Sequence, residues 1–159
     1  AIVALARTGH VADRNLTVKK CIQIGAKAKM IIDYAFEPLD SEPLSTLYGC
    51  EFNLTLFSDQ DHNRYYLAPQ SGRRREIPET GHEDNLKKFE LINGPDRLTA
   101  VFNFSKQVSV WFFPLMTVSQ SEEGFERTYQ GSSLLFLYPL ILTPGKTTRL
   151  QIQLDLIKS

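Results

Sequence analysis

Tryptophan occurs once in these 159 residues, and cysteine and methionine twice each. Neither sign of charge is in excess: 18 basic side chains face 18 acidic ones. A nucleic-acid partner calls for a basic face, and an anionic membrane surface for a polybasic segment, so the balance argues against both. The longest apolar run, "LLFLYPLIL", is broken by Pro139 and falls well short of the roughly 20 residues of a membrane span. No G-x-S-x-G elbow, G-x-x-x-x-G-K-[ST] loop or G-x-G-x-x-G turn is present, so neither a serine hydrolase nor a phosphate cradle is indicated. Cys21 and Cys50 form no C-x-x-C motif and sit in apolar-periodic segments. Two reduced core thiols in a cytoplasmic protein are the expectation, with a single disulfide left open. No repeat, heptad, low-complexity tract or long amphipathic helix is visible.

Alternation of period two dominates instead. In "TTRLQIQLDLI", Leu150, Ile152, Leu154 and Leu156 share one face, and Arg149, Gln151, Gln153 and Asp155 the other. "GCEFNLTLF" turns Cys50, Phe52, Leu54 and Leu56 inward; "RLTAVFNFS" does the same with Leu98, Ala100, Phe102 and Phe104. Further strands are expected at 16–24, 29–37, 63–67, 86–92, 107–113, 125–130 and 133–142. "KMIIDYAFE" and "SLLFLYPLIL" are apolar on nearly both faces, as strands between two layers are. "NGPD", "TPGK" and "EEG" are turn signals. Residues 37–45 and 68–84 read as polar loops, with a short helical turn around 40–47. The three N-x-[ST] sequons, at Asn15, Asn53 and Asn103, fall in expected strands. The fold class is all-β, an antiparallel β-sandwich of about ten to twelve strands forming one domain over 1–159. The chain opens directly into the strand-like "AIVALAR" and is expected to be cut from inside a longer protein.

The stretch "TVSQSEEGFERTYQG", 117–131, gathers Glu122, Glu123, Glu126, Arg127, Tyr129 and Gln130 just downstream of Trp111. Carboxylates beside aromatics suggest a sugar site, but glycoside hydrolysis needs two carboxylates across a sugar-sized gap. No second one is marked out, and Glu122 and Glu123 flank a turn, where acids are ordinarily solvated. Alternation further sets Glu126, Thr128 and Gln130 against Phe125, Arg127 and Tyr129. No catalytic residue is therefore assigned. In "SDQDHNR" the D-x-D spacing lacks the glycine and glutamate of a calcium loop, and a polar turn is expected, with no metal and no cofactor. His10 and His82 read as surface loop residues, and "GRRRE" as a solvated loop, with an anion or docking contact as the alternative. Trp111 points away from Val108, Val110 and Phe112. It is either covered by core or interface, or exposed as a stacking platform for a sugar ring; Tyr65 is similarly ambiguous.

"LARTGHVADRNLTVKKCIQI", "LYGCEFNLTLFSDQDHNRYY" and above all "WFFPLMTVSQSEEGFERTYQGSSLLFLYPLIL" resemble the C-terminal domain of prokaryotic α-amylase/4-α-glucanotransferases of glycoside hydrolase family fifty-seven. The resemblance runs from about Leu5 to Leu156. It implies the later portion of a galactose-mutarotase-like supersandwich. It also implies that the catalytic carboxylates lie on an N-terminal (β/α) barrel of the same parent chain, outside these residues. The expected role is then a non-catalytic domain of an enzyme acting on α-glucans, packed on that barrel. Trp111, Glu122, Glu126, Arg127, Tyr129, Gln130 and Tyr65 are the candidates for domain-interface or carbohydrate contact, with an α-glucan oligosaccharide as the ligand. The alternative is an independent carbohydrate-binding module with an aromatic platform.

Overall fold

The computed structural model describes residues 1–56, 58, 60–121 and 124–158. Every regular element among them is a strand: β1 (Ile2–Val11), β2 (Arg14–Ile24), β3 (Lys29–Pro38), β4 (Leu44–Leu54), β5 (Arg64–Ala68), β6 (Arg73–Glu76), β7 (Gly81–Asn93), β8 (Leu98–Ser121), β9 (Gly124–Leu142) and β10 (Thr148–Lys158). All pairs are antiparallel, in the order β1-β2-β3-β10-β8-β7-β5-β6, with β9 also pairing β8 and β4 pairing β9.

The 24-residue β8 joins the two layers. Its first part, Ala100 to Phe104, pairs with β10 and the second half of β7. Its later part, from Ser109 onward, pairs with β9, while Val110 and Phe112 also face the first half of β7. Between them Ser105, Lys106 and Gln107 are exposed. The Ser105 hydroxyl accepts from the Gln151 amide at 2.8 Å, and its carbonyl from Lys87 Nζ at 2.7 Å. The two strands expected at 97–105 and 107–113 are thus one, and the polar stretch where they meet contains neither glycine nor proline to reverse the chain. Residues 125–130 and 133–142 likewise merge into β9. Residues 40–47 form no helix; β4 begins at Leu44. The supposed loop 68–84 holds β6 and the start of β7.

Rings meet across the layer gap. Tyr48 on β4 packs edge-on against Tyr34 and Phe36 of β3, with centroids 5.1 and 4.8 Å apart. Phe136 on β9 lies 4.9 Å from Phe102 and 4.8 Å from Phe104. A second group, Tyr66, Phe89 and Phe112, fills the far end. Each fully buried ring of this kind contributes about 1.5–3 kcal/mol by burial alone. The alternations read in β4, β8 and β10 hold for Cys50, Ala100, Phe102, Phe104, Leu150, Ile152 and Leu154, which are buried, but not for Leu156, which is exposed at the end of β10, nor for Val101, which is buried on the opposite face.

One expectation from the doubly apolar segments fails. On β9, Leu134, Phe136, Tyr138, Leu140 and Leu142 are buried, but on the other face Pro139 is exposed and Ile141 is 74% exposed. The outer face of this layer carries apolar side chains, and among the described residues no third layer lies over them.

Candidate functional site

That open face is built row by row from strand register. Trp111 on β8 stands opposite His82 of β7 on one side and Leu135 of β9 on the other. The next row on the same face is Ser109, Leu137 and Gly49, and the next Pro139 and Leu47. Trp111 faces outward because Val108, Val110 and Phe112 take the inward positions of β8 and are buried. Gly49 contributes no side chain to this row. A Cβ there would lie 3.2 Å from Leu135 Cδ1 and 3.5 Å from Leu137 Cδ2, so both leucines lean across β4. The register shift between Glu83 and Leu86, with Asn85 at φ 59°, breaks the alternation of β7 just beyond Asp84. The Asp84 carboxylate lies 3.6 Å from His82 Nε2. Leu47, His82, Asp84, Ser109, Trp111, Leu137 and Pro139 together line a shallow cup of about 360 Å³. The tryptophan is 51% exposed at its side.

The acidic stretch of the sequence lies elsewhere. From Leu115 on, β8 and β9 pair only with each other, forming a two-stranded arm. Gln130 is the extra residue of a bulge at its root, where Leu115 pairs with Gly131 and Met116 with Tyr129. Its side-chain amide donates to Thr117 Oγ1 at 3.1 Å, and its carbonyl accepts from Thr55 Oγ1 at 3.3 Å. Tyr129 Oη meets Ser132 Oγ at 2.7 Å, tying the arm to a buried serine. Ser119 pairs with Glu126 and Val118 with Arg127, so Glu126 and Arg127 occupy opposite faces as alternation requires. Val118 and Phe125 are 59% and 78% exposed. Glu126 shares the outer side with Trp111, but its partner Ser119 lies eight residues farther along β8, roughly 26 Å at about 3.3 Å per residue. Trp111 and the arm residues are therefore two features and not one cluster. Glu122 and Glu123 lie outside the described residues.

Tyr65, on β5, is engaged on its own edge. The Arg74 guanidinium sits 3.9 Å from its ring centroid, occupying one ring face. Arg74 also donates to the His62 carbonyl and pairs with Glu76. The run "GRRRE" thus holds an edge strand, β6, and not a loop, while its arginines remain largely solvated as they pair with carboxylates. Arg73 and Arg75, opposite Ala68 and Tyr66, reach the carboxylate of Glu83 at 3.5 and 3.1 Å. Charged side chains on an edge strand are one way to keep a sheet from pairing with another molecule. In "SDQDHNR", Asp61 organises a turn: its Oδ1 accepts from the Asn63 amide at 2.8 Å. Asp59 lies outside the described residues, and no cluster of three or more histidine, cysteine or acidic residues is found among those described.

Inside the sandwich, Tyr34 Oη and Cys50 Sγ are 3.0 Å apart. Burial, reinforced by the contact with Cys50, pushes the Tyr34 phenol far up; burial raises the Cys50 thiol and lifts Tyr48 to about 12. Groups held so firmly neutral are packing elements at ordinary pH and not acids or bases. Cys21 is a half-buried free thiol on β2.

His82, Asp84, Ser109, Leu47, Leu137 and Pro139 were not singled out as site residues from the sequence. One signal was available and was taken for a covered face: the outward positions of "LLFLYPLIL" are apolar.

A family model described as "Alpha-amylase/4-alpha-glucanotransferase, C-terminal" matches residues 1–154. Among curated relatives, alpha-amylase 1 of Dictyoglomus thermophilum is 31% identical over 130 residues, covering 80% of this chain and 18% of that protein. The 4-alpha-glucanotransferase of Thermococcus kodakarensis is 28% identical over 139 residues, covering 87% of this chain and 18% of its own length. The chain thus spans less than a fifth of the relatives it matches. Among solved structures, the 4-alpha-glucanotransferase of Thermococcus litoralis superposes over 97% of this chain and 20% of its own, with a TM-score of 0.68 and 22% identity. A putative aldose 1-epimerase of Escherichia coli covers 99% of this chain and 66% of its own, with a TM-score of 0.69 and 10% identity. Both likenesses show the fold alone: an antiparallel β-sandwich shared with the epimerases, as the supersandwich expectation had it.

Proposed function

This chain belongs to the α-amylase/4-α-glucanotransferase C-terminal family, and we propose on that premise that it is a non-catalytic β-sandwich domain of an enzyme acting on α-glucans. Its partner is the catalytic (β/α) barrel of the same parent chain. The observation that carries the reading is the match of nearly the whole chain to the C-terminal model, at under a fifth of the length of relatives named as amylases and glucanotransferases. The barrel supplies the paired carboxylates of glycosyl chemistry; the sandwich holds position beside it. The arm suits such docking. A two-stranded ribbon with exposed Val118 and Phe125 buries too little to be rigid alone and gains order against a neighbour. Arg127 and Glu126, on its two faces, are placed to hydrogen-bond across the boundary and set register more than affinity.

The test compares two lengths of polypeptide. Expressed with the sequence that precedes it, the protein should act on maltooligosaccharides; the 159 residues alone should not. Release of reducing sugar by the 159 residues would overturn the non-catalytic role. A second reading, an independent carbohydrate-binding module, draws on the half-exposed Trp111.

A further inference from the structure

We infer that the cup around Trp111 binds a pyranose ring of an α-linked glucan, with Trp111 as the stacking platform and His82, Asp84 and Ser109 as its polar rim. The linkage rests on the proposed role in α-glucan metabolism; the sugar chemistry rests on the cup itself.

A pyranose presents an apolar C–H face and an equatorial belt of hydroxyls. A site for it needs a flat, electron-rich surface and adjacent groups that both donate and accept. The indole supplies the first: its ring face carries negative quadrupole density that attracts C–H groups. Trp111 is the chain's one tryptophan, and it stands 51% exposed on a face whose inward partners are fully buried. Asp84 supplies acceptors for two neighbouring hydroxyls, Ser109 a donor and an acceptor, and His82 one or both. His82 and Asp84 are 64% and 54% exposed and only loosely paired at 3.6 Å, so both can turn to a ligand. Leu47, Leu137 and Pro139 form apolar walls. The volume, about 360 Å³, lies in the range of small-ligand sites, about 300–1,000 Å³. A protein partner is the less fitting occupant, because the polar rim stands beside the ring where a dry contact would bury it unpaired.

The single tryptophan makes its own emission the readout. Maltoheptaose titrated into the 159-residue chain should shift Trp111 emission to the blue with millimolar half-saturation. Trp111→Ala, followed by calorimetry, should lower affinity about tenfold or more, and Asp84→Asn about three- to tenfold. Trp111 is exposed, so unchanged thermal melting of Trp111→Ala will show that the fold is kept. No emission change at tens of millimolar sugar, or binding indifferent to both substitutions, would overturn the site while leaving the accessory role standing. Trp111-dependent binding of cello-oligosaccharides but not maltooligosaccharides would overturn the α-glucan assignment together with the role beneath it. Emission already blue-shifted and unresponsive in the parent enzyme would show that the catalytic unit covers the cup, and would also overturn the proposal.

Discussion

Arg75 Nε lies 3.1 Å from Glu83 Oε1, and the glutamate is only 6% exposed while the arginine keeps 37% of its surface in water. Arg73 approaches the other carboxylate oxygen at 3.5 Å. Two largely solvent-exposed guanidinium groups on an edge strand thus meet the same buried acid of β7. Losing the acid removes the partner that Arg73 and Arg75 share. Glu83→Gln should destabilise the domain by about 1–3 kcal/mol, below the roughly 3–5 kcal/mol of a fully buried pair because the arginines can swing to solvent. Urea denaturation at neutral pH will measure it. A midpoint unchanged from the parent sequence would mean that the arginines are already solvated.

Gly131 stands at the root of the arm. A Cβ there would come 2.9 Å from the carbonyl oxygen of Leu54, a backbone atom of β4 that cannot rotate away. Gly131→Ala should therefore push β4 and β9 apart and cost about 1–3 kcal/mol. Gly9 has open space around its Cβ position and an unexceptional backbone, so Gly9→Ala is the control and should change stability by less than about 0.5 kcal/mol. Parallel thermal melts of the two variants separate steric from compositional effects.

Alkaline pH should unfold the domain in a window set by its buried phenols and thiol. In the unfolded chain Cys50 titrates near 9.0 and the tyrosines near 10.0. In the fold, burial raises Cys50, Tyr34, Tyr66 and Tyr138, and holds Tyr48 at about 12. A raised folded value favours the protonated form, so the stabilising contribution is complete below about pH 9 and is lost as pH climbs toward 12. Melting temperature should be flat from neutral to pH 9 and then fall steeply. Phenolate absorbance from these four tyrosines should appear together with unfolding and not before it. Phenolate signal equivalent to these tyrosines in a still-folded protein would contradict the burial.

The sandwich was readable from sequence because strands such as β10 have one face covered, and coverage writes period two into the residues. Leu150, Ile152 and Leu154 alternate for that reason and are buried. The length of β8 was not readable. Ser105, Lys106 and Gln107 have the polarity of a turn, yet the hydrogen bonds that Ser105 accepts from Lys87 and Gln151 come from strands distant in sequence. The site was half legible. That Trp111 points away from Val110 follows from alternation. That His82 stands opposite it depends on how β7 and β8 pair across 29 positions and on a bulge at Asn85, and neither is written locally. The acid-rich stretch misled in one respect: nearness in sequence along a strand became distance, since each residue carries the chain on by about 3.3 Å.

The arm offers the last test, because its two environments differ. Phe125 is 78% exposed and Val118 is 59% exposed, so in the 159-residue chain neither adds much by burial. Phe125→Ser with Val118→Ser should leave the isolated domain within about 0.5 kcal/mol of its starting stability. In the parent enzyme the same ribbon, docked on the catalytic barrel, would bury both side chains. The double substitution should then cost on the order of 2–4 kcal/mol of interdomain coupling, at roughly 25 cal/mol per Å² of apolar surface. Hydrogen exchange reads the difference directly. Amides of Thr117 to Ser121 and Gly124 to Thr128 should exchange fast in the isolated domain and slowly in the parent, and the double variant should restore fast exchange there. Equal exchange in both lengths of polypeptide would mean that the arm docks on nothing in the parent.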